Sequence, residues 1–121
     1  MRATLIAALL AIAVPAAAQM EGALLEEVCR KAMRGVEAEV PPQDIEEAFN
    51  LAACTFYVAG FIDYAGMAPG DNRFFCLPPS GISRERVVRI YLRLLALHPE
   101  DLHYPARTVL VVAMRAAFPC G

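Results

Sequence analysis

This chain has no concentration of basic side chains. Lysine and arginine number 11 against 13 aspartates and glutamates, for a formal net charge of −2. Binding nucleic acid requires a dense basic surface to neutralise phosphates, so this composition argues against nucleic acid as a partner. Histidine is scarce too. His98 and His103 flank Glu100 and Asp101 beside Pro99, a turn with no recognised zinc spacing, so turn packing is expected there rather than a metal. Neither a serine-centred triad nor a phosphate-cradling glycine loop is present. No repeat, low-complexity linker or second domain appears, and the sequence implies neither an enzyme nor a cofactor.

What is present begins with a short apolar leader. Met1-Arg2 forms a basic start, Thr4 to Val14 is apolar, and Ala16-Ala17-Ala18 supplies the small residues that signal peptidase requires. The apolar run falls short of the roughly 20 residues of a membrane span, and no cysteine follows it as a lipid acceptor. Residues 1–18 are therefore expected to be a signal peptide cleaved before Gln19, and residues 19–121 a single helical domain in the periplasm. Loss of Arg2 leaves a weakly acidic mature chain, expected to be free of the membrane. All four cysteines lie after the leader, as in small exported domains stapled in an oxidising compartment.

Apolar residues recur at helical spacing almost throughout, predicting an all-α bundle of about four helices in two hairpins. The first helix is expected over about Glu21 to Glu37, with Leu24, Leu25, Val28, Ala32 and Met33 inward. Pro41 and Pro42 break it, because proline lacks an amide donor and restricts the residue before it. A second helix is expected over about Gln43 to Tyr64, with Ile45, Phe49, Ala52, Ala53, Phe56 and Ile62 inward and a close neighbour at Gly60. Gly66 to Pro79 carries turn chemistry. Ser83 is a good N-cap for a third helix ending near Leu97, with Arg86, Arg89 and Arg93 on a face expected to be solvated beside local acids. Pro105 suits the first position of a fourth helix that Pro119 stops.

Cys29 and Cys54 are equally spaced about Pro41-Pro42, as are Cys76 and Cys120 about His98. Antiparallel helices joined by a short turn bring residues equidistant from that turn together. Of the three connectivities, Cys29 with Cys54 is preferred, and Cys76 with Cys120 then follows by elimination. Oxidation of all four leaves no thiolate for nucleophilic chemistry.

The run Cys54-Thr55-Phe56-Tyr57-Val58-Ala59-Gly60-Phe61-Ile62-Asp63, then Phe75-Cys76-Leu77-Pro78, Val87-Val88, Tyr91-Leu92, His98-Pro99, Leu102-His103 and Ala117-Phe118-Pro119-Cys120, resembles the Rap/Tai immunity proteins. The resemblance covers essentially the whole mature chain. It implies a noncatalytic, often homodimeric, periplasmic helical protein that protects against a type VI secretion amidase toxin by occluding its active-site groove. The secreted peptidoglycan amidase would be the partner. A general periplasmic binding protein, similar in size and helicity to the small acid-stress chaperones, is the alternative. Within the irregular segment, Asp71, Asn72, Arg73 and Phe74 combine both charges, an amide and an aromatic, a composition suited to an interface anchor with polar rim contacts. They are the expected partner-binding residues, whereas Phe75 is expected to fold over the core.

Overall fold

A computed structural model describes residues 19–68, 70 and 73–121. The expected signal peptide lies outside them, as do Asp71 and Asn72. Four α-helices run in order: α1 (Gly22–Glu37), α2 (Ile45–Gly66), α3 (Arg84–Leu97) and α4 (Ala106–Ala117), with a 3-10 turn at Pro99–His103 between the last two. Among the described residues the only extended pairing is an isolated bridge between Glu21 and Pro105, so the all-α expectation holds.

α1 is the hub, packing on α2, α3, α4 and the 3-10 turn. Its buried residues Leu25, Val28, Cys29, Ala32 and Met33 recur three and four apart, which lines one helical face. Leu24, expected inward, lies at the flank of that face and is half exposed. The outer face carries (i, i+4) ion pairs, Glu26 with Arg30 at 2.8 Å and Glu27 with Lys31 at 3.0 Å. The Glu27 hydrogen bond to Lys31 holds that ammonium above its ordinary pKa.

α1 stops at a left-handed residue, Glu39, whose φ is 55°. The Glu39 amide donates to the Val36 carbonyl at 3.1 Å and the Val40 amide to the Gly35 carbonyl at 3.0 Å. These two bonds form a Schellman stop and turn the chain into Pro41-Pro42. α2 then starts at a reciprocal cap. The Asp44 carboxylate accepts from the Glu47 amide at 2.9 Å, and the Glu47 carboxylate accepts from the Gln43 amide at 2.7 Å. Ser83 caps α3 as expected, accepting from the Arg86 amide at 3.2 Å. Pro105 sits just before α4 rather than within it.

Both expected disulfides form, Cys29–Cys54 between α1 and α2, and Cys76–Cys120 between the irregular segment and the C-terminus. The first explains a correction to α2. Cys54 must face α1, so its helical neighbours Asn50 and Val58 are buried with it, while Ile45, Phe49 and Phe56 point outward. Gly60 likewise has no neighbour within 4 Å of where a Cβ would stand. α2 meets the length and apolarity of a membrane span, with only 17% of its apolar window buried, so much of its apolar surface is unpartnered here.

Gly22 locks the opposite side of the bundle. Its amide donates to the Tyr104 carbonyl at 2.8 Å, and its own carbonyl accepts the buried Tyr91 hydroxyl at 2.8 Å. Burial pushes the Tyr91 phenol well above its ordinary pKa, so the hydroxyl stays a donor. A Cβ at position 22 would stand 2.8 Å from the Tyr104 carbonyl oxygen and 3.0 Å from that of Leu102. Both obstacles are backbone and cannot rotate aside. Helix propensity would favour alanine by about 1 kcal/mol, but overpacking commonly costs about 1 to 3 kcal/mol, and here the 3-10 turn has to move. Gly22→Ala is therefore expected to lose about 2 kcal/mol, read as a lowered urea midpoint with unchanged slope.

Candidate partner-binding surfaces

The two ends of α2 and its outer face frame the surfaces available to a partner. Along the outer face Ile45, Phe49, Phe56, Tyr64 and Met67 recur at helical spacing and are 89, 64, 72, 66 and 79% exposed. At about 200 Å² for a fully bared side chain, they present on the order of 700 Å². That exceeds the largest apolar patch of an ordinary monomer, roughly 300 to 600 Å², and approaches the roughly 800 Å² each partner contributes to a standard interface. At Gly60 the missing side chain opens a groove of about 350 Å³ between Phe56, Tyr57, Phe61 and Tyr64, with Arg107 at its edge. Burial raises the Tyr57 pKa, opposed by the Arg107 charge.

Beyond the C-terminal end of α2, the irregular segment is held from both sides. Phe75 is buried and stacks on Phe61 with ring centroids 5.8 Å apart. The next residue, Cys76, is bonded to Cys120, and its amide donates to the Phe118 carbonyl at 2.9 Å. Phe75 thus folds over the core as expected. Immediately before this anchor Arg73 is exposed and Phe74 is 42% exposed. Of the four expected partner-binding residues, these two fall among the described ones. Holding the backbone at Phe75 and Cys76 reduces the backbone entropy that the adjoining Arg73 and Phe74 would lose on engaging a partner.

α3 departs from expectation in one respect. Arg86, Arg89 and Arg93 are exposed, but among the described residues none is paired with a carboxylate. Arg86 instead lies 5.4 Å above the centre of the Phe118 ring, a cation–π contact that adds to the closure around Cys76.

All four cysteines are in disulfides. His98 Nδ1 lies 3.2 Å from the Glu100 carboxylate, inside the turn where packing was expected. The Glu100 carboxyl is held below its ordinary pKa by its own backbone amide and by His98. Among the described residues no group of three or more histidines, cysteines, aspartates and glutamates is placed to hold a metal ion.

Sequence reasoning overlooked the α2 stripe. Its signal was Cys54: once that residue is bonded across the hairpin, positions 45, 49, 56, 60 and 64 fall on the far side of a 3.6-residue helix.

No curated protein and no solved structure matches the chain. A family model described as Rap1a immunity proteins matches residues 21–120, a span that begins one residue before α1 and ends at the last cysteine. With both disulfides and all four helices inside that match, the chain belongs to the Rap1a immunity protein family.

Proposed function

We propose that this chain is a noncatalytic periplasmic immunity protein that binds a type VI secretion peptidoglycan amidase and occludes its substrate groove. Residues 1–18 would direct export and be removed, and residues 19–121 would act as a single domain. Family membership supports the immunity role, and two disulfides support an oxidising compartment. The observation that carries the site is the exposed Arg73–Phe74 pair, fixed next to buried Phe75 and bonded Cys76. Asp71 and Asn72 would complete the contact. A guanidinium and an aromatic ring are the groups most enriched in interface anchors.

A protection assay tests the role. Cells exporting a candidate cognate amidase to their periplasm should lyse, and co-expression of this protein should restore growth. Continued lysis with the protein present and correctly oxidised would count against the proposal.

The α2 stripe supports a second copy as its occupant. Two of its aromatic groups are symmetric about Gly60, Phe56 four residues before and Tyr64 four after. A two-fold axis through Gly60 of an antiparallel helix pair would set Phe56 of each copy against Tyr64 of the other, as an isologous interface requires. The wild-type protein is expected to scatter light as a dimer at micromolar concentration. Phe56→Glu with Tyr64→Glu should leave a folded monomer, since both side chains are exposed. A monomeric wild type, or a dimer unaffected by both changes, would overturn this assignment.

A further inference from the structure

The turn between α1 and α2 closes one end of a crevice of about 720 Å³, a size common for ligand sites. It lies toward the N-terminal end of α2, whereas Phe75, next to Arg73 and Phe74, stacks on Phe61, 11 residues or about 17 Å along the helix from Asn50. Asn50 lines it and is only 7% exposed. Among the described residues no side-chain hydrogen bond includes Asn50. No fully sealed side-chain nitrogen or oxygen lacks a partner either. The small part of Asn50 that stays accessible therefore includes its carboxamide, which opens onto the crevice.

A nearly buried amide without a protein partner takes its hydrogen bonds from whatever occupies the crevice, water or a ligand. The carboxamide offers N–H donors and a C=O acceptor together, the complement of the C=O and N–H of an extended peptide. Val36 and Leu51 give the crevice an apolar wall, and its charge leans negative. Glu39, Asp44, Glu46 and Glu47 line it against Lys31 and Arg34. Lys31 is already engaged by Glu27 at 3.0 Å and Glu46 at 3.5 Å; neither Glu39 nor Arg34 has an ion-pair partner among the described residues, so the four lining carboxylates outnumber the two lining cations and the excess charge is negative.

We propose that this crevice binds a short extended peptide segment of a partner protein that carries a lysine or arginine beside an apolar side chain. Asn50 pairs with the peptide backbone, the apolar wall takes the hydrophobic side chain, and Glu39 meets the cation. This site is separate from the toxin-facing anchor and does not depend on it.

Nuclear magnetic resonance titration of the oxidised, ¹⁵N-labelled protein tests the assignment, with acetyl-Leu-Lys-Leu-amide as probe and acetyl-Leu-Glu-Leu-amide as control. The lysine peptide should shift the Asn50 side-chain NH₂ pair and the Gly35, Val36 and Leu51 amides, saturating at or below roughly millimolar concentration. The glutamate peptide should bind about tenfold more weakly, and Glu39→Lys should weaken the lysine peptide by a similar factor. Asn50→Leu should abolish binding while leaving the melting temperature unchanged or raised, because an unpartnered polar group has been replaced by an apolar one. The proposal is overturned by absence of shifts, by equal binding of the two peptides, by binding that survives both substitutions, or by a marked fall in melting temperature in Asn50→Leu.

Discussion

Replacing Cys29 and Cys54 together by alanine is expected to remove about 4 kcal/mol or more from the stability of the oxidised protein. The bridge closes a separation of 25 residues, for which loop-closure entropy alone gives about 3.5 kcal/mol. Cys76–Cys120 closes 44 residues, and on entropy alone its loss would cost about 0.5 kcal/mol more. Packing reverses that order. Cys29 and Cys54 are 0 and 2% exposed within the core, whereas Cys120 is exposed and Cys76 only half-buried. Removing the first pair adds a buried void, at about 1 kcal/mol or more, to the lost constraint. Urea unfolding of the two double variants should therefore rank Cys29/Cys54 as the greater loss. Dithiothreitol applied to the folded protein should open Cys76–Cys120 first, because thiol attack requires access to a sulfur. The reverse order in both measurements would mean that the core does not close around Cys29–Cys54 as described.

The second large effect is expected at the proposed toxin interface. Arg73→Ala with Phe74→Ala should weaken binding of the amidase roughly thirtyfold or more, the consequence of about 2 kcal/mol for a truncated anchor. Both side chains are exposed, so circular dichroism and the urea midpoint should not change. Phe75→Ala provides the contrast. Phe75 is buried against Phe61, so its truncation should lower stability by about 3 kcal/mol. Full affinity in the Arg73/Phe74 variant would move the interface elsewhere, and the exposed Arg86, Arg89 and Arg93 face would then be the next surface to truncate.

The hairpin between α1 and α2 was legible in the sequence because two independent signals agree. Pro41-Pro42 marks the turn, and Cys29 and Cys54 stand equidistant from it. Ser83 and Asp44 mark helix starts for an equally local reason, a side-chain oxygen capping a backbone amide. The face of α2 was not legible from periodicity. Apolar residues surround that helix, so the pattern Ile45, Phe49, Phe56 matches a helical stripe as well as the buried pattern Asn50, Cys54, Val58 does. Only the bonded cysteine breaks the tie. Gly60 was misread for the same reason, since it lies on the open side of a helix whose inward side had been assigned wrongly. Asn50, a buried amide, carried no signal, because a polar residue at a helical position is ordinarily solvated. Burial of Phe75 followed from its place next to Cys76, while the exposure of Arg73 and Phe74 rests on how that bonded cysteine orients the preceding backbone.

The immunity role is tested most directly by titrating the oxidised protein into a candidate cognate amidase, following calorimetric heat and peptidoglycan hydrolysis in the same preparation. Saturable binding with a dissociation constant in roughly the nanomolar range, and hydrolysis that falls in proportion to the amidase bound, is the expected result. No heat of binding, together with undiminished hydrolysis at large molar excess, would contradict it.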